Sequence, residues 1–260
     1  MSLKKQFISD VGDALKTKEN PGILTQNDIA HLPALIQKYL KYSGCIGKEK
    51  VWNVHLVFEG EMKMDERHDW FPIHSEQYNF FNAPSRFFFI TTHMKGMPVT
   101  GLHVYKSASA SMVIKLAGMI TVADARGPKM DQGETVTVFN DMCFMAPASL
   151  ISEAIKWEPI DDLNVNAIFT NAGITISARL EFNAGGQLIN FFSDDRFLSS
   201  DGKSFENLPW STPISDYKDF DGRMIPTSGT AIWHYPDHEY PYGRFKVKEV
   251  RYNVGEMSRD

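Results

Sequence analysis

From residue 51 onward, apolar side chains recur at every second position, and this two-residue period limits the chain to a fold dominated by strands. Trp52, Val54, Leu56, Phe58, Met62 and Met64 alternate with Asn53, His55, Glu59, Glu61 and Lys63, the signature of a strand with one face buried. Further runs follow at 71–81, 86–95, 99–106 and 111–122, separated by Asp65-Glu66-Arg67, Asn82-Ala83-Pro84-Ser85, Gly96-Met97-Pro98 and 107–110. Connectors this short leave no room for helical crossovers and predict antiparallel neighbours. Phe87-Phe88-Phe89-Ile90 is apolar on both faces, so this strand lies between layers or lines a cavity.

The same period resumes at Leu163-Val165-Ala167-Phe169 and at Ile174-Ile176-Ala178-Leu180-Phe182, then at 188–197, 210–220, 225–235 and 244–254. Asn171-Ala172-Gly173, Asn183-Ala184-Gly185-Gly186 and Asp221-Gly222 are turn sequences. In the last run Phe245 and Val247 fall in one phase and Val250, Tyr252 and Val254 in the other; a bulge near Lys248-Glu249 reconciles them.

Helical periodicity is confined to two places. Phe7, Ile8, Val11 and Leu15 keep a three-to-four spacing that Asn20-Pro21-Gly22 ends, and Leu32, Leu35, Ile36, Tyr39 and Leu40 form a second stripe between Pro33 and Gly44. In mid-chain, Asp131-Gln132-Gly133-Glu134 places carboxylates at a helix start, Val136, Phe139, Met142, Cys143 and Met145 follow at helical spacing, and Pro147 opens a short second helix with Leu150, Ile151 and Ile155. The expected fold is α+β: a large curved antiparallel sheet, a half-barrel of about nine or ten strands, wrapped around a helical insert at 131–155, with N-terminal helices. The expected organisation is a helical extension over 1–30 and a single half-barrel domain over 31–260.

Charge and motifs exclude several functions. The net charge is −5, from 27 basic and 32 acidic residues, which argues against a nucleic-acid partner. Cys45 and Cys143 cannot build a disulfide framework. No run reaches the roughly 18 apolar residues of a membrane-spanning helix. Lys4-Lys5 is followed by no hydrophobic signal core; the expected compartment is the cytoplasm for the sequence as written, or the membrane surface or periplasm if a preceding segment has been removed. There is no Gly-x-Ser-x-Gly elbow and no glycine-rich phosphate loop. His234 and His238 are four apart but have Pro236 between them, so they do not form the helical zinc pair. No metal or cofactor is expected, and the oligomeric state is not specified.

The candidate site residues fall into three groups. Phe139, Met142 and Met145 of the insert would face an apolar cavity, since Met and Phe adapt to varied ligand shapes. Asp124 and Arg126 enter the insert, and Trp157 and Glu158, followed by Asp161-Asp162, leave it. Trp233, His234, Tyr240 and Tyr242 form an aromatic hairpin end suited to a binding rim, and Trp210 is a further candidate ligand-binding residue. The leading expectation is a non-enzymatic protein binding a lipid-like or other hydrophobic molecule between the sheet and the insert. The alternatives are a hydrolase-type enzyme using Asp124, Glu158 or Asp161 as acid or base, a partly buried Arg126–carboxylate pair that merely pins the insert, and a scaffold whose aromatics fill a solid core.

Asp124-Ala-Arg-Gly-Pro128, Asp131-Gln-Gly-Glu134, Trp157-Glu-Pro-Ile-Asp-Asp162, Trp233-His-Tyr-Pro236 and Tyr240-Pro-Tyr242, with Leu32-Pro-Ala-Leu-Ile-Gln-Lys-Tyr-Leu40, resemble a bacterial family of unknown function over residues 31–254. That family implies no catalytic residues, and some of its members begin with membrane helices. The strand–insert–strand layout is also similar to the lipoprotein-carrier fold of periplasmic lipoprotein chaperones. That likeness implies a curved antiparallel sheet around helices and a cavity for acyl chains.

Overall fold

The computed structural model of the chain describes residues 1–17, 22–199 and 202–257. Asn20 and Pro21, expected to end the first helix, lie outside the described residues. Helix α1 spans Leu3–Leu15, with the Ser2 hydroxyl accepting the Lys5 amide. Helix α2 spans Ala34–Tyr42 and stops before Gly44, whose φ is 64°. A Cβ at Gly44 would collide with the Gly222 carbonyl, so both the left-handed conformation and the close approach require glycine.

A first meander contains β1 (Asn53–Met62), β2 (Phe71–Phe80), β3 (Ser85–Met94), β4 (Met97–Lys106), β5 (Ser109–Leu116) and β6 (Ile120–Arg126). Helix α3 (Pro128–Met145) and a 3-10 turn, Pro147–Ile151, follow. A second meander contains β7 (Ile155–Pro159), β8 (Asn164–Asn171), β9 (Ile174–Phe182) and β10 (Leu188–Ser193). A two-stranded ribbon, β11 (Phe197–Leu198) and β12 (Glu206–Asn207), precedes β13 (Trp210–Ser211), β14 (Ile214–Phe220), β15 (Arg223–His234) and β16 (Glu239–Tyr252). Among the described residues, fourteen strands make one sheet of order β6-β5-β4-β3-β2-β1-β16-β15-β13-β10-β9-β8-β7, with β14 paired to β15. Every pairing in it is antiparallel.

The expected class, a curled antiparallel half-barrel around a mid-chain helix, is the observed one, but the strands are more numerous. Residues 111–122 are two strands because Ala117 and Gly118, at φ 50° and 71°, turn the chain. The run 210–220 breaks at Pro213, which has no amide hydrogen for the ladder. Residues 155–159 join the sheet as β7 instead of ending the insert. The expected bulge is present: Val57 pairs with Glu249 and Phe58 with Val247, leaving Lys248 as the extra residue.

The sheet has two apolar faces. On its outer side α1 lays Phe7 against Phe89 and Tyr78, with ring centroids 5.6 and 6.0 Å apart. Phe87 and Leu102 complete that layer. This explains the apolar run at 87–90: alternate residues face α1 and the concave interior. On the inner side α3 is buried from Gly133 through Met145 except Asp141. Phe139 stacks on Phe169 at 5.0 Å and meets Phe191 at 5.8 Å. Val54, Leu56, Val165, Ala167, Ile176 and Leu180 close the same core. No described helix is long and apolar enough to cross a membrane. Replacing Phe139 by Ala should lower stability by about 3–5 kcal/mol, the usual loss for a fully packed aromatic, measured by urea unfolding; an unchanged midpoint would contradict this packing.

Candidate functional site

Alternation along β2, β3 and β4 turns Gln77, Asn79, Arg86, His103 and Tyr105 toward α3. On α3, Glu134 and Asp141 are seven residues apart, two helical turns, and so share one face. Arg86 holds both carboxylates. Its Nε donates to Asp141 Oδ2 at 2.9 Å, Nη1 to Glu134 Oε2 at 3.2 Å and Nη2 to Gln77 Oε1 at 3.1 Å. Gln77 Nε2 and Asn79 Nδ2 donate to the same Asp141 oxygen at 2.8 and 2.9 Å. The other Glu134 oxygen faces His103 Nδ1 at 3.8 Å and Arg196 Nη2 at 3.7 Å. Nearby, Tyr105 bonds Thr135 at 2.8 Å and accepts from Asn171 at 2.7 Å.

The two carboxylates differ in proton affinity. Burial works against the charge of Glu134, but His103, Arg86 and Arg196 outweigh it and bring its pKa down to about 2. For Asp141 burial prevails over Arg86, and the neighbouring Glu134 charge adds to it, so its pKa is raised. Asp141 is therefore the one of the pair that takes up a proton first as the pH falls.

Arg196 connects this network to the aromatic end. Its guanidinium lies 4.2 Å from the Trp210 ring centroid and 5.4 Å from that of Trp233. Its Nη1 donates to the Tyr242 hydroxyl at 3.2 Å, and Trp210 Nε1 donates to the same oxygen at 3.1 Å. Trp233 stacks on Tyr242 at 5.9 Å. Strand pairing produces the cluster: Trp210 is opposite Trp233, and Trp233 is opposite Tyr240. Tyr242 is the extra residue where Ala231 pairs with Gly243 and Ile232 with Pro241, and this bulge puts it beside Tyr240.

Trp233, Tyr240 and Tyr242 of the hairpin end lie together and Trp210 joins them, while His234 turns to the other face and meets Ser211 at 2.8 Å and Glu239 at 3.5 Å. Phe139, Met142 and Met145 are enclosed in the core, where they fill the space expected to be a cavity. Trp157 packs half-buried against that core, its indole nitrogen without a hydrogen-bond partner. Asp124 and Glu158 do not converge: they lie on β6 and β7, the opposite edges of the sheet. Asp124 pairs with Arg126 at 2.8 Å in an exposed contact that pins nothing. Glu158 pairs with Lys156 at 2.7 Å, which lowers its pKa, and Asp161 caps its own turn at Leu163. Sequence reasoning missed Arg86, His103, Asp141 and Arg196, and read Glu134 only as a helix start. The available signal was a pair of acids two turns apart on a helix otherwise destined for the core.

Beyond the network, the concave wall of the first meander is apolar and incompletely covered. Register aligns Ser75, Ile90, Gly101, Ile114 and Ala123 across five strands, and Ile73, Thr92, Val99 and Leu116 in the next row. Ile90, Thr92, Met112, Ile114 and Leu116 are half-buried. Ile73, Phe88, Val99 and Ala123 are buried but belong to neither main core cluster. Gly101 admits the Ile90 side chain, whose Cγ2 is 2.6 Å from where a Cβ would sit. The Ser75 hydroxyl is buried on this wall with no hydrogen-bond partner. His103, 22% exposed, stands where the wall meets the ion network.

The family model for DUF6544, a family of unknown function, matches residues 22–245. The chain belongs to this family. Similar solved structures include a LolA superfamily protein from Nitrosomonas europaea, 10% identical over 84% of this chain and 93% of that one, with a TM-score of 0.42. A DUF1329 family protein from Desulfovibrio piger is 9% identical over 91% of this chain and 96% of that one, with a TM-score of 0.47. No curated protein matches the sequence.

Two outcomes test the ion network in this DUF6544 protein. Arg86→Met should cost about 3–5 kcal/mol in urea unfolding, because it strands two buried carboxylates. The pKa of Glu134 is lower in the folded chain than its ordinary 4.5, so its stabilising contribution is complete above that value and is lost as the pH falls toward about 2. Glu134→Gln should flatten the stability profile over that interval, and an unaltered profile would place the acid sensitivity elsewhere.

Proposed function

We propose that this DUF6544 protein binds a hydrophobic, lipid-like molecule along the uncovered concave wall of its first meander. The observation that carries the reading is the half-buried apolar surface of Ile90, Ile114, Met112 and Leu116 beside α3, bounded at one end by His103 and the charges behind it. An extended acyl chain matches such a surface: it removes apolar area from water at roughly 25 cal/mol per Å², and its polar end can meet His103. The buried, unpartnered Ser75 hydroxyl on the same wall offers a further polar contact to an occupant. The filled core around Phe139 takes no part. The binding surface lies next to the helix, on the side away from Phe169 and Phe191.

The test is titration of the purified protein with a fluorescent fatty acid. Saturable binding is expected, and Ile90→Glu and Ile114→Glu should each weaken it by about tenfold or more, since each sets an ionised group against the chain. Circular dichroism should find both variants folded, because both positions are already partly in water. Absence of saturable uptake, or equal uptake by the variants, would refute the assignment.

A further inference from the structure

We propose that the hairpin tips at one end of the first meander dock on an anionic lipid bilayer. The hairpins β3–β4 and β5–β6 turn at the same end of the sheet, the end away from where β6 leads into α3. Met97 is 45% exposed, Met119 81% and Ile120 59%. Isolated exposed apolar residues are ordinary on a protein surface, but these stand together on adjacent tips. The tips are also held firmly. Lys95 and Gly96 have φ of 51° and 79°, a two-residue turn of the left-handed kind. The Ala117 amide donates to the Pro98 carbonyl at 2.8 Å, fixing the second tip against the first hairpin.

Charge selects the partner. From Gln77 to Ala123 there is no Asp or Glu, although the whole chain has a net charge of −5. Lys95 lies in the first turn and Lys115 beside the second. The neighbouring loop after β1 holds three acids, Asp65 beside His68, Glu66 beside His238 and the exposed Asp69, together with Lys63 and Arg67, so the acid-free surface is that of the two hairpins themselves. Basic residues flanking protruding apolar tips match an anionic bilayer surface, where each cation near the surface adds attraction and each apolar side chain enters the headgroup boundary. A second copy of the chain fits less well. A stable dimer needs roughly 800 Å² of continuous surface per partner, whereas these tips are separate turns about two strand spacings, ~10 Å, apart. The strands ending at these tips carry the apolar wall described above, so a docked protein holds the open end of that wall against the bilayer. The purpose of docking rests on the lipid-binding reading, while its existence does not.

Co-sedimentation of the full chain with vesicles decides the matter. Vesicles of phosphatidylcholine with phosphatidylglycerol should carry the protein down, and phosphatidylcholine alone should carry much less. Lys95→Glu with Lys115→Glu, and separately Met119→Ser with Ile120→Ser, should each lower the partition coefficient about tenfold or more. The fatty-acid titration should be unaltered in both pairs, which shows them folded and separates the tips from the wall. Failure of the wild-type protein to sediment with anionic vesicles would overturn the proposal. So would equal sedimentation of both variants, or a dimer abolished by the Met119→Ser and Ile120→Ser pair. If vesicles bind but the fatty acid does not, the wall reading falls and the docking stands.

Discussion

The position of α3 depends on Arg86. A helix buried on all sides inside a curved sheet could slide or rotate if its contacts were apolar alone, because dispersion and burial carry no direction. Directional bonds remove that freedom. One guanidinium reaches two carboxylates two turns apart and a glutamine on the neighbouring strand, which sets both the rotation of the helix and its height on the sheet. The arrangement costs desolvation of several charges, and its gain is registry. Because α3 is fixed, the apolar side of the helix meets β8–β10, and the upper part of the opposing wall is left without a helix over it.

The network also divides the interior by polarity. Toward the second meander the helix presents Phe139 and Phe144 to a packed aromatic layer. Toward the first meander it presents the carboxylates of Glu134 and Asp141 and the bonded Thr135 hydroxyl. A half-barrel with this division has one sealed side and one side on which an apolar wall adjoins a polar end. The lipid-binding reading follows from that asymmetry more than from the sheet itself, since the same architecture hosts unrelated functions.

Much of the fold was legible because local chemistry and global structure agree in the strands and turns. The alternation at 174–182, the Asn171-Ala172-Gly173 turn and the shifted phase at Lys248 each had one consistent interpretation, and each is present. The aromatic cluster was legible in part: Trp233, Tyr240 and Tyr242 share the interior, but Trp210 joins them only through the pairing of β13 with β15, and His234 is one strand position out of phase with Trp233 and so faces outward. The ion network was not legible. Arg86 sits next to a phenylalanine run that invites an apolar reading, and its partners are 48 and 55 positions away. Periodicity reports which face a residue occupies but not which distant residue faces it. The misplaced boundary at 155 has the same origin, since β7 is a strand only because β8 pairs with it.

The first and last long strands are neighbours. β1 pairs with β2 on one side and with β16 on the other, and Asn53 and Asn253 exchange bonds across that seam with Val254 and Trp52. The two meanders are therefore united by a strand synthesised long after its partner β1. Until it arrives, the early meander must wait with one flank unpaired, a template for unwanted association with other nascent chains. Assembly of this protein is thus expected to be slow and governed by β16, because closure of the long loop between β1 and β16 has to precede the pairing that secures it.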